Sequence, residues 1–194
     1  GEIVAVFGPN GAGKSTLARC LSTLARPDAG TVRIAGEEVT SATGARLRAR
    51  LGYVGHQTLL YDSLSAEENL AFFAALHGVS APLARARELL HEFGITLRAH
   101  DAVRGLSRGT QQRLSLARAL VHSPEALLLD EPATGLDPAA AAALHGRLLS
   151  HRARGGCALI VSHDLAASLP IADRYVVLRG GAIVAEGSAR GTDA

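Results

Sequence analysis

The stretch GPNGAGKST, residues 8 to 16, fits the phosphate-binding pattern G-x-x-x-x-G-K-[ST], known as the P-loop. It lies in the context that this pattern requires, after the strand-like run EIVAVF and before the helical run STLARCLSTLA. In such a loop glycines turn backbone N–H groups toward phosphate oxygens, the lysine reaches the β- and γ-phosphates, and the following hydroxyl ligates Mg²⁺. We therefore predict that ATP and Mg²⁺ bind here, since a bare helix-capping turn explains the pattern less well. The predicted nucleotide-binding residues are Gly8, Pro9, Asn10, Gly11, Ala12, Gly13, Lys14, Ser15 and Thr16.

Short apolar runs recur along the chain and are bounded by Gly, Asp or Ser, as is typical of buried strands. Helical stretches lie between several of them, which predicts an α/β fold with a mainly parallel sheet. Gly180 and Gly181 separate two strand-like runs and predict a hairpin, so that antiparallel strands lie at the sheet edge. The further predicted strands are TVRIA (31–35), LGYV (51–54), ALLLD (126–130), CALIVS (157–162), RYVVL (174–178) and AIVAEG (182–187).

The middle of the chain lacks a convincing strand and is dominated by helical signals. Ser65 and Glu68 have the spacing of a capping box. Two further helical stretches follow, APLARARELLHEFG, which ends at Gly94, and GTQQRLSLARALVHS, which stops before Pro124. We predict a single domain over residues 1–194, with a helical lobe at about 63–124 inserted into an α/β core at about 1–62 and 125–194.

Composition narrows the classes of partner. A formal net charge of +2 gives no sign of a nucleic-acid footprint. No apolar run approaches the ~18 residues of a membrane span, so we expect any membrane role to involve another chain. Cys20 and Cys157 fit no metal or redox spacing and are expected to be buried, inert thiols.

The run ALLLDEP, residues 126–132, places two adjacent carboxylates at the end of a predicted buried strand. A carboxylate so placed suits Mg²⁺, and we assign this role to Asp130. Glu131 is then the candidate general base that polarises the attacking water. A solvated acidic turn is the alternative, and the P-loop upstream argues against it.

Five further residues belong to polar stretches that follow or begin predicted elements. Ser107 and Gly109 lie in LSRGTQQR (106–113), where a helix start offers free N–H donors to an anion. His163 and Gln57 each follow a predicted strand, and the ends of strands in a P-loop fold face the nucleotide. Asp137 precedes Pro138 and is explained equally well as a simple helix N-cap.

Taken in order, the P-loop, Gln57, LSRGTQQR, LLLDEP, TGLD and VSHD resemble the nucleotide-binding subunits of ATP-binding-cassette (ABC) transporters over essentially the whole chain. The resemblance implies ATP hydrolysis, with Lys14, Gln57, Glu131 and His163 in catalytic roles. Ser15, Gln57 and Asp130 would serve the metal. In this family the signature helix binds ATP held by a second subunit, so Ser107, Gly109 and Asp137 are expected to act across a dimer.

The resemblance also implies a location and partners. The expected site of action is the cytoplasmic face of the inner (cell) membrane, as a peripheral subunit. A transmembrane subunit is expected to contact residues 57–64, with Tyr61 and Leu64 as candidate contacts, and the nucleotide-binding subunit is expected to pair with a second copy or a related subunit.

Two departures from the family pattern stand out. The usual signature L-S-G-G-Q has Arg108 and Thr110 at its third and fifth positions here, which leaves turnover open. Relatives also carry strands and an adenine-stacking aromatic before the P-loop, so we expect this sequence to be a fragment that lacks them.

Within the family, the short helical lobe, the SRG signature and HQTLLYDSLSAEENL look most like the haem-exporter ATPases of cytochrome c maturation. Drug or lipid exporters are alternatives within the transporter class. Outside it, the alternatives are a soluble cassette ATPase acting on ribosomes or DNA and a nucleotide-binding module without catalysis.

Overall fold

The computed structural model describes residues 1–189, which contain a central sheet with helices packed around it. The strands are β1 (Ile3–Phe7), β2 (Arg33–Ile34), β3 (Glu37–Glu38), β4 (Leu51–Val54), β5 (Ala126–Asp130), β6 (Cys157–Val161), β7 (Arg174–Arg179) and β8 (Ala182–Ser188). The α-helices are α1 (Lys14–Leu21), α2 (Gly44–Arg48), α3 (Ala66–Leu76), α4 (Pro82–Glu92), α5 (Arg108–Ala119), α6 (Pro138–Ala153) and α7 (Leu165–Ser168). Short 3-10 turns cover Thr96–Arg98, Val103–Gly105 and Leu169–Ile171.

The main sheet has six strands in the order β4-β5-β6-β1-β7-β8. The first five are parallel, and β8 returns antiparallel to β7 through Gly180 and Gly181, which have φ angles of 56° and 80°. The predicted α/β class, mainly parallel sheet and antiparallel edge are therefore confirmed. Parallel strands need crossover connections, and the intervening helices provide them.

Two predictions from the sequence are wrong. The run at 31–35 is not a strand of the main sheet, because only Arg33–Ile34 pair there, antiparallel to β3 in a separate two-stranded ribbon. Only one of those two residues, Ile34, is buried, so the apolar run is too short to serve the core. The two cysteines were predicted to be buried, but Cys157 is exposed at the first position of β6 and Cys20 is half-buried near the end of α1.

Between β4 and β5 the structure contains α3, α4 and α5, and within residues 63–124 the only β pairing is an isolated bridge from Ser65 to Ala102. The capping box is present: Glu68 N–H donates to Ser65 Oγ at 3.2 Å, and Ser65 N–H donates to Glu68 Oε2 at 2.7 Å. This reciprocal pair satisfies two donors at the helix end. It fixes where α3 begins.

One hydrophobic cluster joins the sheet to these helices, with Ile3 and Leu129 from the sheet and Leu70, Leu89 and Leu114 from the helices. Burying a side chain of this size stabilises a fold by roughly 1.5–3 kcal/mol. The helices are thus fixed to the sheet by the same core that holds the strands together.

The topology brings the predicted site segments to one edge of the sheet. The P-loop follows β1, Asp130 ends β5, His163 follows β6 and Gln57 follows β4. All four strands are parallel, so their carboxyl ends lie at the same edge. Ligands of open α/β sheets bind at that edge.

Candidate nucleotide-hydrolysis site

The P-loop wraps around the start of α1. Gly8 has a φ angle of 149°, and a Cβ added there would lie 2.2 Å from the Leu178 carbonyl oxygen, so only glycine fits. Gly11 and Gly13 also have positive φ, at 79° and 99°, a conformation that residues with a side chain rarely adopt. These glycines shape the loop at the N-terminus of α1, where the free N–H groups of a helix start are suited to an anion.

Lys14 is the first residue of α1 and is largely buried beneath the loop. Its Nζ donates to the carbonyl oxygens of Gly8 at 2.7 Å and Pro9 at 3.1 Å. The ammonium is therefore held at the base of the loop with one donor to spare. Bound phosphate oxygens would meet a positive charge already in position.

The residues predicted to serve Mg²⁺ have the right chemistry for it. Ser15 is exposed in the first turn of α1, and Asp130 is buried at the end of β5, against which α1 packs. No group of three or more His, Cys, Asp or Glu side chains with metal-ligand geometry occurs among residues 1–189. The hydroxyl of Ser15 and the carboxylate of Asp130 suit Mg²⁺, which binds proteins through one or two oxygen ligands and takes the rest from substrate phosphates and water.

Glu131 and His163 form a pair directly beyond β5 and β6. His163 Nδ1 lies 2.8 Å from Glu131 Oε2. This hydrogen bond, and then the charge of the carboxylate, raise the pKa of His163 above its ordinary value. Glu131 adopts a left-handed backbone with φ of 52°, and its N–H donates to the Val161 carbonyl at 2.9 Å. The imidazole can hold the Glu131 carboxylate in place, and the carboxylate can accept a proton from a water molecule.

Gln57 is exposed on the loop that follows β4, the strand that pairs with β5. Two buried polar side chains hold this loop from beneath. Ser115 Oγ donates to the Thr58 carbonyl at 3.1 Å, and Asn69 Oδ1 accepts from Tyr61 N–H at 2.8 Å. The loop is therefore anchored on the helices α3 and α5, while its tip at Gln57 faces solvent.

The signature stretch opens α5 as predicted. Ser107 is the N-cap, and its Oγ accepts from Thr110 N–H at 3.3 Å and lies 2.9 Å from Thr110 Oγ1. Gly109 abuts the loop after Glu131, because an added Cβ would lie 2.8 Å from the Gly135 carbonyl oxygen. Arg108 is exposed beside the helix start. The helix N-terminus is open to an anion and carries an additional cation next to it.

Asp137 caps α6, accepting from Ala140 N–H at 2.8 Å with Pro138 at the first helical position. The simple capping role is therefore confirmed. Its expected contact with a second subunit stays a prediction.

Residues 1–134 match the family described as ABC transporter. The chain belongs to the ABC transporter family. Its fold is similar to the solved dimeric structure of the ATP-binding cassette MJ0796, in a post-hydrolysis state bound to ADP and Pi, with a TM-score of 0.90 at 27% identity. That match covers 98% of this chain and 86% of the other.

Two curated relatives of this ABC ATPase domain differ in what they are named for. The daunorubicin resistance ATP-binding protein DrrA3 of Streptomyces coeruleorubidus is 41% identical over 191 residues, covering 97% of this chain and 60% of that protein. The molybdenum import ATP-binding protein ModC of Mycobacterium tuberculosis (strain CDC 1551 / Oshkosh) is 43% identical over 195 residues, covering 94% of this chain and 53% of that protein. The chain thus spans little more than half the length of these relatives. Within residues 1–189, no helix has the length and apolar character needed to cross a bilayer.

Reasoning from the sequence missed the polar residues that support this ABC site from behind. They are Asn69 on α3 and Gln112, Ser115 and Arg118 on α5. Asn69 is a polar side chain in an otherwise apolar stretch, and that pattern was the available signal, whereas the three residues of α5 lie in a largely polar sequence. Their partners are backbone carbonyls and N–H groups, which the sequence does not reveal.

Proposed function

We propose that the chain is the ATP-hydrolysing cassette of a membrane transporter, with Glu131 as general base and His163 as the γ-phosphate contact. The observation that carries this proposal is the Glu131–His163 pair, 2.8 Å apart, at the sheet edge that also bears the P-loop. A carboxylate held by an imidazole can orient and deprotonate water, and the same imidazole can donate to phosphate. Mg²⁺, when bound by Ser15 and Asp130 with assistance from Gln57, supplies positive charge to the phosphates.

We further propose that the working unit is a dimer with composite sites. The P-loop of one subunit holds ATP, and the partner's Ser107, Gly109 and Asp137 close over it. The open start of α5 supports this, because it has the properties of an anion site and lies on a different segment from the P-loop. The MJ0796 cassette, which has a similar fold, was solved as a dimer bound to ADP and Pi, and this supports a dimeric working unit.

A transmembrane subunit is the proposed partner, docked on residues 57–64 at the cytoplasmic face of the cell membrane. Leu59 and Tyr61 support this surface, being 44% and 50% exposed, and Phe72 beside them is 43% exposed. The Tyr61 and Phe72 rings meet edge to face with centroids 5.2 Å apart. Leu64, also predicted as a contact, is only half-buried and is available to extend the patch. Clustered exposed aromatics are typical of protein interfaces.

For the cargo, we propose export of a drug-like small molecule. The drug-resistance relative supports this, since it matches a larger share of both chains than the import relative does. Haem export rests on the SRG and HQTLLYDSLSAEENL resemblance alone, and neither relative is named for it. A ribosome- or DNA-directed ATPase has less support, because the helices of the lobe are 11, 11 and 12 residues long and form no coiled coil within the described chain.

The composite site can be tested by complementation between two inactive variants. Lys14→Ala disables the P-loop and keeps the signature, whereas Ser107→Arg keeps the P-loop and blocks the signature. In a mixed dimer one site combines the two intact halves. With Glu131→Gln in both chains to prevent turnover, the mixture should therefore dimerise with Mg-ATP although neither variant does so alone.

Dimer mass is the quantity to measure, on the full-length protein. The control is Glu131→Gln with a normal P-loop and signature, which should dimerise by itself. If that control dimerises and the mixture stays monomeric, Ser107 does not act on the partner's nucleotide. The cargo is tested separately, by comparing drug efflux from cells carrying wild-type or Glu131→Gln protein with its membrane partner.

A further inference from the structure

The outer edge of the main sheet is contacted by side chains from the end of the signature helix α5 and from the turn that follows it. β4 is the edge strand, and its backbone on the side away from β5 has no strand partner among the described residues. Arg118 Nη2 donates to the Tyr53 carbonyl at 2.6 Å, and His122 Nε2 lies 3.0 Å from the Leu51 carbonyl. Arg118, near the end of α5, and His122, in the turn that follows the helix, thus contact two alternate carbonyls of the strand that leads to Gln57.

Arg118 has a second contact, with an aromatic ring. Its Cζ lies 5.3 Å from the centroid of the Phe73 ring, a cation–π distance. Phe73 in turn stacks with Tyr61 at 6.0 Å and meets Phe72 at 5.4 Å. The one side chain therefore touches both the Gln57 strand and the aromatic cluster of Tyr61, Phe72 and Phe73.

The charge of Arg118 is maintained at a cost. Burial lowers its pKa to about 10, its Nε is buried without a hydrogen-bond partner, and no carboxylate pairs with it within residues 1–189. A methionine or leucine would fill the same space without that desolvation penalty. The guanidinium bonds to the Tyr53 carbonyl and contacts the Phe73 ring at once, which points to a positional role that an apolar side chain cannot perform.

Two other polar residues of α5 also donate hydrogen bonds to backbone carbonyls of loops near the site. Gln112 Nε2 donates to the Pro132 carbonyl at 2.9 Å, just after Glu131, and Ser115 Oγ donates to the Thr58 carbonyl at 3.1 Å, just after Gln57. Gln112, Ser115 and Arg118 follow at intervals of three along the helix whose N-cap is Ser107. The helix that meets the partner's nucleotide is thereby bonded to the loops that carry the proposed base and the Gln57 side chain.

We propose that Arg118 is a positioning residue for ATP hydrolysis: it links the signature helix, the strand that leads to Gln57 and the aromatic cluster so that they move as one unit. This inference rests on the proposed function. Closure of the helix start onto ATP then sets Gln57 in place, and a partner bound at Tyr61 and Phe72 acts on the same unit through Phe73.

The test compares Arg118→Met with Arg85→Met in the full-length protein. Arg85 is a matched control, because it also reaches backbone carbonyls, those of Val121 and Leu120 at 3.2 Å each, yet touches neither the Gln57 loop nor the aromatic cluster. Arg118→Met should lower kcat about tenfold or more while the KM for ATP changes less than about twofold, since small displacements of a catalytic group cost up to ~10²-fold. Arg118→Lys should restore part of the rate through its bond to the Tyr53 carbonyl, and Arg85→Met should turn over at the wild-type rate.

A second readout follows the loop itself. In a Glu131→Gln background, Mg-ATP should slow amide hydrogen exchange in the peptide 55–61, and Arg118→Met should abolish that protection while Arg85→Met keeps it. A wild-type rate in Arg118→Met, or an equal loss in Arg85→Met, would overturn the inference. If wild-type protein binds Mg-ATP without hydrolysing it, the proposed function fails, and the exchange comparison then decides the positioning role by itself.

Discussion

Asn69 offers a direct test of how the Gln57 loop is held. It is 0% exposed on α3, in the otherwise apolar segment NLAFFAAL. Its Oδ1 accepts from Tyr61 N–H at 2.8 Å, and its Nδ2 lies within donor distance of the carbonyl oxygens of Tyr61, Ser65 and Leu64 at 3.0, 3.0 and 3.4 Å. We expect Asn69→Ala to release the loop and destabilise the fold.

The size of the effect follows from the bonds. An amide nitrogen has two hydrogens, so two of the three donor contacts are full hydrogen bonds, and Oδ1 adds one accepted bond. Net contributions of about 1 kcal/mol per bond give a loss of about 3 kcal/mol in the free energy of unfolding. For a chain of this size, 3 kcal/mol corresponds to a fall in Tm of about 6–12 °C.

Urea unfolding of the nucleotide-free protein measures this loss. Asn10→Ala is the matched control, because the same substitution at an exposed loop position should change stability by less than about 0.5 kcal/mol. Asn69→Leu refills the volume without the bonds and should remain destabilised, which separates lost hydrogen bonding from a cavity. A loss below about 1 kcal/mol in Asn69→Ala, or an equal loss in Asn10→Ala, would refute the reasoning.

Three further predictions concern the nucleotide site. Lys14→Ala should abolish the increase in Tm that Mg-ATP gives the wild type, and an unchanged increase would remove Lys14 from phosphate binding. Glu131→Gln should keep ATP bound while steady-state hydrolysis falls by ~10²–10⁴-fold, as for loss of a general base; normal turnover would place the base elsewhere. The pKa of His163 is raised in the folded state, so its bond to Glu131 stabilises the protein fully below the unfolded pKa of about 6.5 and less as pH rises through the folded value. The Tm difference between wild type and His163→Ala should therefore shrink from pH 6 to pH 9, and only modestly, because His163 is exposed; a gap that widens with pH would contradict this.

The sequence predicted the strands and loops that carry the chemistry because local rules govern them. The P-loop glycines, the Ser65–Glu68 capping box and the Gly180–Gly181 hairpin each depend on residues close together in the chain. The hydrogen bonds that support the site depend on residues far apart in the chain. Arg118 and the Tyr53 carbonyl are 65 residues apart, and Ser115 and the Thr58 carbonyl are 57 residues apart. Every residue has a backbone carbonyl, so the sequence does not indicate which carbonyl accepts such a hydrogen bond.

The backbone of Glu131 shows why this support matters to the site. Its φ of 52° is a left-handed conformation that costs a residue with a side chain roughly 1–2 kcal/mol. Two hydrogen bonds hold it there, from its own N–H to the Val161 carbonyl at 2.9 Å and from Thr134 N–H to its carbonyl at 3.1 Å. Gln112 fixes the following residue through the Pro132 carbonyl. Glycine would adopt this conformation without strain but could not bond to His163, so the strain is the consequence of placing a carboxylate, rather than a turn residue, where β5 ends.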